Sequence, residues 1–534
     1  MTGTVMKPLV VVRRADLDSP TRRPLYRGLN LSVSAGDRVA LIGRNGVGKS
    51  TLLELLAGGL QPDRGAVSLH TRPTLVQQDP SSAEALGIAR RLLARARDEP
   101  TLEGALAREF AEAGLRPPRQ LLGQQQLSRG EVRKLHLIAA KLGPGELLLL
   151  DEPSEDLDAA GVAWLQRWLA SWRGALIVAS HSRPLLRGFE HFFIVSESGC
   201  RHLSGSFAQL EQQLAQEQDD HQRRYAEHLR TLADAERHHH AVNQRRRRKK
   251  NVGRLHELRR CTSRCRLNEK RSYAQESQAK AAKIRHERIS AARGWAKSTR
   301  RALTVQLPLL GFEVGQGVPA LTETDGGALI SLTDVGVELG GRRLFNGMNI
   351  AVGRERVALL GPNGSGKTTL LQVMLGARAP TIGAARCRLE AIGSIAQGAS
   401  DWISDDSLLD RLFARTRATS LDEAAQLLIA HRFPLALAER PLASLSPGER
   451  VRAALICLFR QQPTLALLVL DEPTFSLDLV GLSALQAALR AWPGGLVVAS
   501  HDLEFLDAIG TQHAISFDGH GGHTRAAFVG RAQS

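Results

Sequence analysis

Residues 36–58 read GDRVALIGRNGVGKSTLLELLAG. An apolar run, a glycine-rich turn and a leucine-rich segment in that order predict a buried strand, a loop and a helix. That is the context a phosphate-binding loop of pattern GxxxxGK[ST] requires. Gly43, Gly46 and Gly48 let backbone N–H groups curl round phosphate oxygens, and the N-terminus of the following helix adds a positive field. Lys49 can reach the β- and γ-phosphates of a nucleotide, and the Ser50 hydroxyl can ligate Mg2+. Asn45 and Thr51 belong to the same stretch and are counted with the nucleotide-binding residues.

Working outward, the chain repeats itself. The octapeptide 43-GRNGVGKS-50 returns as 361-GPNGSGKT-368, and 127-LSRGE-131 returns as 445-LSPGE-449, both at an offset of 318. Likewise 151-DEP-153 returns as 471-DEP-473 and 179-ASH-181 as 499-ASH-501, both at an offset of 320. Landmarks that keep order and spacing mark a tandem duplication of one domain. The copies are expected over 5–210 and 328–530. Gly361, Asn363, Gly364, Gly366, Lys367, Thr368 and Thr369 take the phosphate-loop roles in the second copy.

Each copy also carries an apolar run that ends in two carboxylates, 146-ELLLLDEP-153 and 466-ALLVLDEP-473. Continuous apolar character suits a central strand of a mostly parallel sheet, covered on both faces. The carboxyl ends of such strands line the ligand crevice of an α/β fold. Asp151 and Asp471 are therefore expected in the Mg2+ shell with Ser50 and Thr368. Glu152 and Glu472 are expected to orient and deprotonate the attacking water, so the reaction class is hydrolysis of a nucleoside triphosphate.

Composition narrows the setting. The 534 residues are 43% hydrophobic and 23% charged, an ordinary globular balance that excludes wholesale disorder. No apolar run reaches the roughly 18 residues of a membrane span, and the N-terminus lacks the core of a signal peptide. Five cysteines cannot form a disulfide framework, which suits a reducing cytoplasm. The net charge of +17 is localised. Residues 221–300 hold 24 Lys and Arg against 7 Asp and Glu, so the rest of the chain, with 47 of each sign, is neutral. Charge concentrated in one segment points to a polyanion, most plausibly nucleic acid.

That segment lacks proline from 185 to 307 and is interrupted over 211–300 only by Gly253 and Gly294. Its helix-forming composition predicts two long helices, over about 206–250 and 264–303, folded back at a tip. The stretch 211–305 is thus expected as a basic helical linker between the copies. Arg245, Arg246, Arg247, Arg248, Lys249, Lys250, Arg254, Arg259, Arg260, Arg264 and Arg266 should concentrate RNA contact near the tip, because guanidinium groups fork onto phosphates and stack on bases. Cys261 and Cys265 lie near histidines, but no second cysteine pair closes a zinc site.

With these motifs in register, both copies resemble the ATP-binding cassette superfamily, whose LSGGE signature is matched by LSRGE and LSPGE. In that family the serine and second glycine, here Ser128 and Gly130 or Ser446 and Gly448, bind the γ-phosphate held by the opposite cassette. Arg129 and Pro447 stand where the family pattern has its first glycine. The resemblance further implies Gln78 and Gln397 as Q-loop glutamines near the metal, Asp158 and Asp478 as D-loop aspartates, and His181 and His501 as catalytic switch histidines. The family's adenine-stacking aromatic is replaced by Pro20 and Leu339, while Tyr26 and Phe345 read as core.

Two cassettes joined by a basic helical linker resemble the ABC-F ATPases. That resemblance implies a monomer with an intramolecular cassette sandwich, two ATP molecules with Mg2+ at its interface, and a ribosome partner. In that family the linker approaches tRNA and rRNA near the peptidyl-transferase centre. Closure on ATP then modulates translation or displaces ribosome-bound antibiotics. The interval from Q-loop to signature, 50 residues in one copy and 49 in the other, leaves no inserted arm, and the chain ends soon after the second copy. The competing classes are the ATPase component of a transporter with separate membrane subunits and a DNA-repair ATPase. The first has no use for a basic hairpin, and the second carries its insertions inside a cassette.

Overall fold

The runs LLLLD and LLVLD become fully buried strands, β6 (Leu147–Asp151) and β15 (Leu467–Asp471), at the heart of two similar α/β domains. In the computed structural model the described residues are 8–18, 24–78, 82–122, 127–196, 199–217, 328–416, 420–431, 433–461, 465–519 and 521–529, with isolated positions 220, 223, 227 and 418. The chain divides into one unit made of Met1–Leu210 with Pro308–Ser534 and another of Glu211–Leu307. A helix is described over 207–217. The rest of the expected hairpin, with the basic positions 245–266, lies outside the described residues.

The first cassette contains a main sheet of β3 (Arg38–Gly43), β5 (Thr74–Val76), β6, β7 (Ala175–Ala179), β8 (His191–Ser196) and β9 (Gly199–Ser204). Its order is β5-β6-β7-β3-β8-β9, parallel except for the last pair. A smaller antiparallel sheet has the order β2-β1-β4, from β1 (Pro8–Asp18), β2 (Pro24–Ser34) and β4 (Arg64–Leu69). The helix Lys49–Leu56 packs into one core with both sheets: Leu52, Leu53, Leu55 and Leu56 meet Val10 and Val12 of β1 and Leu147 and Leu149 of β6. Each such leucine taken out of water is worth about 1.5–3 kcal/mol, which fixes the helix against the sheet.

The second cassette repeats this. Its small sheet comprises β10 (Ile330–Leu339), β11 (Arg342–Val352) and β13 (Ile382–Cys387). The main sheet runs β14-β15-β16-β12-β17-β18, from β12 (Arg356–Leu360), β14 (Ile392–Ile395), β15, β16 (Gly495–Ala499), β17 (His513–Phe517) and β18 (His523–Ala527). The fold is therefore the expected α/β pair of tandem cassettes. Among the described residues no helix is long and apolar enough to cross a membrane.

This topology builds the site. Parallel strands present their carboxyl ends on one edge, and the order β5-β6-β7-β3 sets the residues at those ends side by side. Gln78 comes just after β5, Asp151 closes β6 with Glu152 next to it, His181 comes just after β7, and the phosphate loop leaves the end of β3. In the second copy β14, β15, β16 and β12 do the same for Gln397, Asp471 with Glu472, His501 and the loop at 361–366.

Candidate functional site

Each glycine-rich loop is held open by backbone geometry that other residues resist. Gly46 and Gly48 have φ of 73° and 106°, and Gly364 and Gly366 have φ of 73° and 105°. A side chain at Gly46 or Gly364 would meet nothing within 4 Å, so these peptides border open space. Gly48 and Gly366 cap the helices after them in the left-handed conformation without a side-chain bond, leaving the first helical N–H groups available. The Lys49 ammonium donates to the carbonyls of Gly43 and Arg44 at 2.8 and 3.2 Å and lies 2.8 Å from His181 Nε2. Lys367 does likewise to Gly361 and Pro362 at 2.7 and 3.1 Å, with His501 Nε2 at 3.1 Å.

The glutamates sit in a strained, dry setting. Glu152 and Glu472 have φ of 43° and 42°, uncommon for non-glycine residues. Burial pushes both carboxyls up to about 8, against the pull of Lys49 and Lys367. Burial also keeps the histidines neutral: His181 falls well below its ordinary value, and His501 to about 4, with the neighbouring lysine acting in the same direction. Oε1 of Glu152 and of Glu472 lies 3.3 Å from Nε2 of its histidine, and His501 Nε2 also lies 2.9 Å from Asn363 Oδ1, an atom that can only accept. Both Oε1 atoms are buried with no hydrogen-bond partner.

The remaining residues divide between the nucleotide edge and the cassette interface. Thr368 donates its hydroxyl to Asp471, whose carboxyl is raised by burial and lowered by that bond and by Lys367. Gln78 Nε2 donates to Glu155 at 2.9 Å. Gln397 opens a short helical stretch, Gln397–Trp402, kinked at Gly398 and Ala399. Ser128 and Ser446 cap the helices Arg129–Lys141 and Pro447–Arg460 through capping boxes with Glu131 and Glu449. Asp158 and Asp478 cap the next helix in each copy, accepting from Gly161 and Gly481 at 2.9 and 2.7 Å. Asp478 also acts electrostatically on Lys49, and Asp158 on Lys367, each across the interface.

The cassettes meet head to tail. Asn45 Nδ2 donates to the Ser476 carbonyl at 2.5 Å, and Asn363 Nδ2 donates to the Asp156 carbonyl at 2.9 Å. A cavity of about 760 Å³ brings Ser128 and Gly130 of one cassette together with Gly366, Lys367, Thr368 and Glu472 of the other. Leu339, expected where an adenine-stacking aromatic would stand, is half-exposed and lines this cavity. Tyr26 and Phe345 are core, as expected. Tyr26 also donates its hydroxyl to the Gly48 carbonyl at 2.8 Å, bracing the loop from beneath. Sequence reasoning did not identify Glu155, which accepts from both Gln78 and, at 3.3 Å, the Ser476 hydroxyl of the opposite cassette. Its one sequence signal is that copy two has Phe475 at the matching place.

The donor set fits a nucleoside triphosphate with a divalent cation. Open loop peptides and an ammonium suit phosphates, a hydroxyl–carboxylate pair suits a hard cation, and the unpartnered Oε1 atoms, once ionised, suit a water proton. The family model described as ABC transporter matches residues 26–155 and 346–475. The chain is 30% identical to the ATP-binding protein Uup of Caulobacter vibrioides, over 94% of this chain and 76% of that protein. It is also 30% identical to the tylosin resistance ATP-binding protein TlrC of Streptomyces fradiae, over 90% and 92%. Identity to the ribosome protection protein VmlR of Bacillus subtilis is 26%, over 90% and 82%. The fold is similar to that of an archaeal ribosome recycling factor, with a TM-score of 0.59 at 16% identity over 97% of this chain and 90% of that one. Tandem cassettes with matched landmarks, and relatives aligned over nearly the whole chain, place it: the chain belongs to the ABC-F family of ATPases.

Proposed function

We propose that the chain is a ribosome-associated ATPase in which two ATP molecules are bound and hydrolysed between its cassettes. The observation that carries this reading is the placement of the first signature, Ser128 and Gly130, in one cavity with Gly366, Lys367 and Thr368 of the second cassette. Bound Mg2+ would supply a Lewis acid for the phosphates, held by Ser50 and Asp151 in one site and Thr368 and Asp471 in the other, with Gln78 and Gln397 beside it. Lys49 and Lys367 bind phosphate oxygens. The Oε1 atoms of Glu152 and Glu472 accept the proton of the attacking water, and the peptide N–H groups of His181 and His501 hold these carboxylates in place. Signature contacts from the opposite cassette favour the closed pair when a γ-phosphate is present, a differential contact a diphosphate cannot make.

The ribosome enters through charge and kinship. All excess positive charge lies in residues 221–300. Cationic contacts to phosphate make binding steeply salt dependent. The name of the relative VmlR gives ribosome protection as its role, and that of TlrC gives tylosin resistance. Ribosome pelleting over a salt series tests the reading. Replacing both Glu152 and Glu472 by Gln should retain ATP-dependent pelleting while turnover falls at least 100-fold. Neutralising Arg245, Arg246, Arg247, Arg248, Lys249 and Lys250 should weaken pelleting and flatten its salt slope. A parent protein that never pellets with ribosomes in ATP, or an unaltered slope, would reject it.

A further inference from the structure

The two composite sites are built differently, and the differences all bear on phosphate charge. At the first helical position after the signature serine, cassette one has Arg129 and cassette two has Pro447. The peptide N–H at this position is one of the unpaired donors of a helix start and faces an incoming anion. Proline has no N–H, so the site that Ser446 completes is one donor short. Arg129 keeps its N–H and adds a guanidinium. Its side chain is 77% exposed and stands 3.9 Å from Asp156 Oδ1. It lines the cavity between the cassettes, which takes in Lys367 and Thr368 as well as Glu152 and His181.

The backbone round Arg129 reaches the opposite loop. A Cβ built on Gly130 would lie 3.6 Å from Asn363 Nδ2 of cassette two, and 2.8 Å from the Asp156 carbonyl. At the matching Gly448, the three nearest atoms all belong to cassette two itself. A third difference points the same way. Glu155 places a carboxylate between Gln78 and Ser476, on the side of the Lys49 loop, whereas its counterpart Phe475 lies 3.6 Å from a Cβ built on Gly398 beside Gln397. One site therefore gains Arg129 beside Asp156, where copy two has Pro447 and Ser476, and the other gains the Glu155 carboxylate and loses a donor.

We propose that Arg129 is a specificity-determining residue that cassette one supplies to the terminal phosphate of the nucleotide on the Lys367 loop, making that composite site the tighter triphosphate site and the Lys49 site the weaker one. The inference rests on the nucleotide-binding reading above. The added charge acts where a triphosphate carries its terminal phosphate, so Arg129 separates ATP from ADP rather than one base from another. The exposed aliphatic wall at Leu339 offers the base no aromatic face, which leaves phosphate contacts to carry the discrimination.

Equilibrium binding of ATP and of ADP, each with Mg2+, to the full chain tests this when one loop is silenced at a time. With Lys49→Ala, Arg129→Gly should weaken ATP about tenfold, the size expected of one charge-assisted contact, while leaving ADP within about twofold. Arg129→Lys should restore most of the loss. With Lys367→Ala, the remaining ATP site should be the weaker one, Arg129→Gly should leave it unchanged, and Glu155→Gln should tighten it. Equal losses from Arg129→Gly in both backgrounds, no loss with Lys49→Ala, or equal loss of ATP and ADP would overturn the proposal. A Lys49→Ala, Lys367→Ala double variant that binds ATP like the parent would instead overturn the nucleotide reading, and this inference with it.

Discussion

Glu152 and Glu472 combine a left-handed backbone with a buried carboxyl. In the nucleotide-free protein burial raises these carboxyls to about 8, against about 4.3 in an unfolded chain. Between those values the folded state binds more protons than the unfolded state. Stability from these groups is thus fully present below about pH 4.3 and is lost as pH rises through about 8. Replacing both by Gln removes that loss, since Gln mimics the protonated acid at every pH. The thermal midpoint of the nucleotide-free double variant should match the parent at about pH 4 and exceed it at pH 8.5. Midpoints that run parallel across this range would contradict the assignment. In the parent, kcat/KM for ATP should rise with pH along a limb near 8, because a general base of the free enzyme works only when deprotonated. A limb that persists in the residual turnover of a variant lacking both glutamates would assign it elsewhere.

At the scale of elements, the helix Lys49–Leu56 is positioned by the aromatic ring beneath its loop. A Cβ on Gly48 would come within 3.2 Å of the Tyr26 hydroxyl, and one on Gly366 within 3.1 Å of the Phe345 ring. The two aromatics occupy matching places, and only the first carries a hydroxyl. Tyr26→Phe should therefore fold, as the second cassette does with Phe345, and should cost about 1 kcal/mol for the bond to the Gly48 carbonyl. Denaturant unfolding measures that cost, and a loss above about 3 kcal/mol would mean the ring itself is misplaced. Much of this scale was legible in the sequence. The phosphate loops, the strands ending at Asp151 and Asp471 and the helices capped by Ser128 and Ser446 are contiguous stretches whose pattern carries its own geometry. The buried roles of Tyr26 and Phe345 came from their register. The bonds of Asn45, Asn363 and Glu155 to the opposite cassette did not, because they depend on which surfaces meet, and a repeat of 318 to 320 residues says nothing about facing partners.

For the whole molecule, the decisive feature is that each loop touches the opposite copy, Asn45 at the Ser476 carbonyl and Asn363 at the Asp156 carbonyl. Beyond the loop contacts, the Arg187 guanidinium donates to Glu504 Oε2 at 2.7 Å and Arg183 donates to the Ser483 hydroxyl at 3.3 Å, tying the segments after His181 to the second cassette. Exposed pairs of this kind contribute about 1 kcal/mol or less each, so they orient the cassettes rather than lock them. The proposal that nucleotide completes the joint is measured most directly by ATP turnover of paired substitutions. Ser446→Arg and Lys49→Ala disable the same site from opposite cassettes, so together they should cost little more than either alone. Ser446→Arg with Lys367→Ala disables both sites and should remove nearly all turnover. If the first pair abolishes turnover while the second behaves like its single variants, each cassette works with its own signature and the head-to-tail account is wrong.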